Sequence, residues 1–109
     1  MKIYIAGKIT GLHEAEAKRL FTEAATHLVR LGYTPLDPMA MVDQAPGRTY
    51  GELLHDALGI LLTQAEAVYF LSNWHTSPGA LIEHRIAEKL DMPIYYAPSI
   101  IPPVMEAAQ

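Results

Sequence analysis

The strongest constraint on this chain is a repeated change of hydrophobic period. Four short apolar runs, Ile3–Ala6, Tyr33–Leu36, Ala67–Leu71 and Met92–Ala97, alternate with segments whose apolar residues recur at helical spacing. Ala17, Leu20, Phe21, Ala24, Leu28 and Leu31 make one such stripe, and Gly32 stands behind it as a helix stop. Thr49 and Glu52 form a capping box that opens a second helix, running to Leu62. Ser77-Pro78 reads as an N-cap followed by proline at the first helical position of a third, ending near Leu90. Strands that are apolar throughout need cover on both faces. The pattern therefore predicts a flavodoxin/Rossmann-like three-layer α/β sandwich, with a parallel sheet of about four to five strands. Residues 37–48 lack any period and are expected to form a long surface loop.

With 109 residues, half of them apolar, the chain suits one domain. Its core is expected over residues 1–97, with a tail at 98–109 that Pro102-Pro103 keeps out of a sheet interior. Eight basic against twelve acidic side chains give a net charge of −4, which argues against binding a nucleic-acid duplex. The absence of cysteine excludes disulfides, thiolate-bound metals and thiol catalysis. The five histidines show no paired-ligand spacing, so neither a metal nor another cofactor is expected. No apolar run is long enough for a membrane span or a secretory leader. A cytoplasmic protein with no membrane partner is the expectation.

In open parallel sheets ligands bind outside the carboxyl ends of the strands. Four segments should meet there: Gly7–Gly11, Asp37–Thr49, Ser72–Ser77 and the loop after Ala97. The third helix holds the sharpest signal. At roughly 100° per residue, Gly79, Ile82, Ile86, Ala87 and Leu90 share a face, and Glu83 falls inside it. A carboxylate turned towards a sheet is costly unless paired or functional. Ser77-Pro78-Gly79 could offer an anion a helix N-terminus, or serve only as a cap. Gly7-Lys8-Ile9-Thr10-Gly11 is neither a dinucleotide fingerprint nor a Walker loop, but its glycines permit close approach of a ligand. Asp56 lies on the polar flank of its helix, where an ordinary solvated carboxylate would sit. Trp74 could stack on a base or simply pack.

Together these residues resemble a known group. Lys2-Ile3-Tyr4-Ile5-Ala6-Gly7-x-Ile9-Thr10-Gly11 is similar to the opening of the nucleoside 2-deoxyribosyltransferase-like superfamily, close to its small bacterial and phage branch of DUF4406-like proteins. Asp56 in the middle helix and Trp74-x-x-Ser77-x-Gly79-Ala80-x-x-Glu83 extend the resemblance over roughly residues 1–97. It implies chemistry at an N-glycosidic bond, with a nucleoside or its 5′-monophosphate as partner. Glu83 looks like the nucleophile, and Asp56 like a carboxylate that contacts the sugar or helps protonate the leaving base. Tyr4 and Gly7 match positions lining the nucleoside pocket, and Ile9, Asn73 and Trp74 are counted with them as substrate-binding candidates. Ser77 and Gly79 match positions that hold the 5′ end, as a phosphate in the monophosphate-hydrolysing members, so monophosphates are expected to bind better than nucleosides. The resemblance also implies a homodimer or larger homo-oligomer in which a neighbour's C-terminal region closes the site.

The leading expectation is thus cleavage or transfer at a glycosidic bond through Glu83. The alternative is a non-catalytic nucleotide-binding or sensing module with the same pocket. A flavin-type redox module is weaker, since no Ser/Thr-rich phosphate loop follows the first strand.

Overall fold

The computed structural model describes residues 1–98. Strands β1 (Lys2–Ala6), β2 (Thr34–Leu36), β3 (Ala67–Phe70) and β4 (Ile94–Tyr96) form one parallel sheet in the order β2-β1-β3-β4. Helices α1 (Glu14–Arg30), α3 (Tyr50–Gln64) and α4 (Pro78–Lys89) connect them, with a short α2 at Pro38–Met41. The three-layer α/β architecture is the one the period changes predict.

Alternation along β1 and β3 divides the core in two. Ile3, Ile5, Ala67 and Tyr69 pack against Ala17, Phe21, Ala24 and Leu28 of α1. Tyr4, Ala6, Val68 and Phe70 face the other way, onto Leu61 of α3 and Ala87 of α4. The chain leaves β1 for one edge strand and returns to β3 on its other side. The carboxyl ends of β1 and β3 therefore flank a topological switch point, where such sheets open a crevice.

Gly32 ends α1 with φ 93°, and the N–H groups of Gly32 and Tyr33 donate to the Val29 and Leu28 carbonyls. These are the two bonds of a Schellman stop. The capping box of α3 is complete: the Glu52 N–H donates to Thr49 Oγ1 at 3.1 Å, and the Thr49 N–H donates to Glu52 Oε1 at 2.8 Å.

The stretch expected to be a surface loop is not uniformly one. Asp37 caps α2 by accepting the Met39 N–H at 2.9 Å, Pro38 takes the first turn, and Pro38, Met39 and Val42 are buried. Asp37-Pro38 is the same cap-then-proline signature as Ser77-Pro78, hidden because α2 is too short to show a period. The expected closing role of the tail and of the loop after Ala97 lies outside the described residues.

Candidate functional site

A small cleft of about 80 Å³, partly open to solvent, lies at the switch point. Its walls come from the end of β1, the turn that follows, the segment after α2, one face of α3 and the first turn of α4.

Glu83 forms part of its lining and is only 5% exposed. Buried Tyr4 donates its hydroxyl to Glu83 Oε2, joining residues 79 apart in the chain. Every buried polar side-chain atom among the described residues has a hydrogen-bond partner, so the other oxygen, Oε1, meets the open cleft. Burial pushes the Glu83 pKa up to about 7, against a smaller downward pull from the Tyr4 hydroxyl. Tyr4 is itself held well above its ordinary pKa by burial and by the Glu83 charge, and so remains a donor. The pair is a carboxylate poised to change charge near neutrality, fixed by a neutral phenol.

The buried face of α4 is rotated from the expected one. Ala80, Glu83 and Ala87 are buried, whereas Ile82 and Leu90 are 42% and 53% exposed. Two alanines let the helix lie close to its neighbours, and this places Glu83 at the centre of the contact rather than at its margin.

Two glycines have steric reasons visible here. A Cβ on Gly7 would stand 2.7 Å from Leu71 Cδ1, so the turn after β1 can pack against the end of β3 only without one. At Gly79 a Cβ would stand 2.8 Å from the Tyr50 hydroxyl. Tyr50, Leu53, Leu54 and Ala57 line the cleft together, and they follow one another at i, i+3, i+4 and i+7. Sequence reasoning missed Tyr50, although Leu54, Ala57, Leu58 and Leu61 recur at helical spacing and one turn back from Leu54 falls on Tyr50. Burial and the Glu83 charge raise the pKa of Tyr50.

Tyr4, Gly7, Ile9, Ser77, Gly79 and Glu83 are thus brought together. Asp56, Asn73 and Trp74 are not among the residues lining this cleft. Asp56 faces a separate, shallower groove beside α3, 2.8 Å from Arg48 and 3.2 Å from His55 Nδ1. Those partners lower its pKa. Asn73 Oδ1 accepts the Lys8 N–H at 3.0 Å and ties the turn after β3 to the turn after β1. Trp74 stacks on His84, with ring centroids 4.4 Å apart, in a cluster with Phe70 and Tyr96. Its ring is engaged in packing.

A family model described as a domain of unknown function, DUF4406, matches residues 1–96. The chain belongs to the DUF4406 family. The DUF4406 match spans every strand and helix that builds the cleft. No curated protein and no solved structure gives a significant match. Among the described residues no cluster of potential metal ligands exists, and no helix is long and apolar enough to cross a membrane.

Proposed function

We propose that this protein cleaves or transfers at the N-glycosidic bond of a nucleoside or nucleotide, with Glu83 as the nucleophile. The observation that carries the reading is the buried Glu83 carboxylate at the switch-point cleft, held through one oxygen by Tyr4. The resemblance of the opening and Ser-x-Gly-x-x-x-Glu motifs to the nucleoside 2-deoxyribosyltransferase-like superfamily supports the same assignment.

Departure of a base builds positive charge on the sugar, and a carboxylate beneath C1′ stabilises it or bonds to it. In the first step Glu83 Oε1 bonds to C1′ as the C1′–N bond breaks. The base leaves with the bonding electrons and takes a proton from water in the cleft. In the second step water attacks C1′, the carboxylate departs, and the water's proton is released. A second base in place of water makes the reaction a transfer. Tyr4 holds Oε2 throughout and leaves Oε1 free.

The test is free-base release from a panel of ribo- and deoxyribonucleosides, with and without 5′-phosphate. Release by the native protein and its loss in Glu83→Gln supports the reading. Ligand binding without release would instead favour a nucleotide-binding module.

The protein is further proposed to act as a homodimer or larger homo-oligomer. Leu62 of α3 and Leu81 and Ile82 of α4 are exposed apolar side chains that such a contact would cover. A monomer in light scattering at tens of micromolar would exclude it.

A further inference from the structure

We infer that the cleft receives the sugar's 5′ end as a neutral hydroxyl, so that the substrate class is the nucleoside rather than its 5′-monophosphate. This rests on the glycosidic reading and narrows it.

The polar groups of the lining are the first reason. Tyr4, Thr10, Gln44, Tyr50 and Ser77 offer hydroxyls and an amide, and among the described residues Glu83 is the one charged side chain. Such a set suits the hydroxyls of a sugar and the edge of a base. A 5′ substituent is tethered to the ring whose C1′ must reach Glu83, so a phosphate would share this cleft with a carboxylate and meet no cation in its walls.

The first turn of α4 is the second reason. A helix N-terminus holds phosphate by presenting several free N–H groups. Here Pro78 has none, the Ala80 N–H donates to Ser77 Oγ at 3.2 Å, and the Leu81 N–H donates to the Ser77 carbonyl at 2.9 Å. Gly79 retains the free N–H, and the Tyr50 hydroxyl lies against that same residue. The turn has room and donors for one small oxygen, beside a phenol that can either give or accept a hydrogen bond.

Neither Arg48 nor Lys8 is among the residues that line the cleft. Arg48 pairs with Asp56 and donates to the Asp43 carbonyl at 2.8 Å. The Lys8 side chain lies along the Gly11 turn, its Cε 3.4 Å from where a Gly11 Cβ would stand. Residues 99–109 contain no lysine or arginine, so their sequence can bring no compensating charge.

The experiment compares kcat/KM for base release from each nucleoside and its own 5′-monophosphate, using the full chain at low salt. The nucleoside should be favoured by about tenfold or more, and added salt should narrow the gap by screening repulsion between phosphate and Glu83. Leu54→Lys, which places an ammonium beside Gly79, should shift the ratio towards the monophosphate; Leu54 Cδ1 is 3.7 Å from the position of a Gly79 Cβ. The native ratio decides the question even if that variant fails to fold. Equal or better use of the monophosphate would overturn this inference and leave the glycosidic reading standing. Release from no member of any pair would overturn the glycosidic reading and this inference with it.

Discussion

Glu83 and Asp56 are carboxylates on neighbouring helices, and their surroundings drive them in opposite directions. Glu83 is buried, has a neutral phenol for a partner, and carries a pKa raised to about 7. The Asp56 side chain is 39% exposed, pairs with a guanidinium, and carries a pKa below its ordinary value. A cation beside a carboxylate fixes its charge at neutral pH and satisfies it in place. A phenol in an apolar setting leaves the charge costly and the oxygen reactive. The Arg48 pair accounts for the charge of Asp56, whereas stability gives no reason for keeping Glu83.

The widest separation should come from Glu83→Gln. Glutamine keeps the size and can still accept from Tyr4, but it cannot form the glycosyl ester. Base release should fall at least about a thousandfold while the fold persists. Loss of activity that merely follows loss of folded protein would make Glu83 a structural residue instead.

Stability against pH should show the next largest effect. Raising the Glu83 pKa from 4.5 to about 7 means that the folded state holds a proton the unfolded state has released. The associated stability is complete below about pH 4.5 and is lost as pH rises through about 7. The loss should be on the order of 3 kcal/mol in urea unfolding, and Glu83→Gln should flatten that slope and be at least as stable as the native protein at pH 8. Asp56, with its lowered pKa, acts in the opposite sense, its contribution fading as acid protonates it. A native profile flat from pH 4.5 to 7 would mean that Glu83 is not desolvated in solution.

Tyr4→Phe sharpens the contrast more gently. It removes the donor that holds Oε2 and the influence that lowers the Glu83 pKa. The acid limb of the base-release profile should move to higher pH, and stability above that limb should fall by about 1–3 kcal/mol for an ionised group left without its bond. An unmoved limb would show that Tyr4 does not set the charge of Glu83.

The same contrast shows what a linear reading can and cannot reach. Period changes were enough for the three layers and the helix caps, because those depend on neighbours within a few residues. The oddity of Glu83 was also legible, as a carboxylate inside an apolar stripe. Its partner was not: the resemblance put Tyr4 in the pocket, but nothing along the chain ties it to a carboxylate 79 residues away. The rotation of α4 escaped because Ala80 and Ala87 are weak signals on a wheel that weights Ile82 and Leu90. Tyr50 escaped for a similar reason: its role depends on the missing Cβ of Gly79 in another helix. Trp74 looked available for a base until His84, Phe70 and Tyr96 were found around it.

The smallest effect should belong to Asp56→Asn. Within one chain Asp56 faces away from the Glu83 cleft, and Arg48 occupies one of its oxygens while His55 meets the other. Exposed ion pairs of this kind contribute little to folding, so the melting temperature should stay within experimental scatter. Removal of a general acid typically slows a reaction by about a hundredfold or more. Asp56→Asn should slow base release by less than that, with natural and activated leaving groups affected alike. A larger loss, relieved when the base is a good leaving group, would place Asp56 in the reaction. Since this cleft is not where Asp56 points, that result would require Arg48 to release it or a second copy of the chain to bring it in. Repeating the measurement on Arg48→Gln, which frees Asp56 without removing it, separates those two routes. Faster release in Arg48→Gln indicates a carboxylate freed within the chain, and an unchanged rate indicates one supplied by the neighbour.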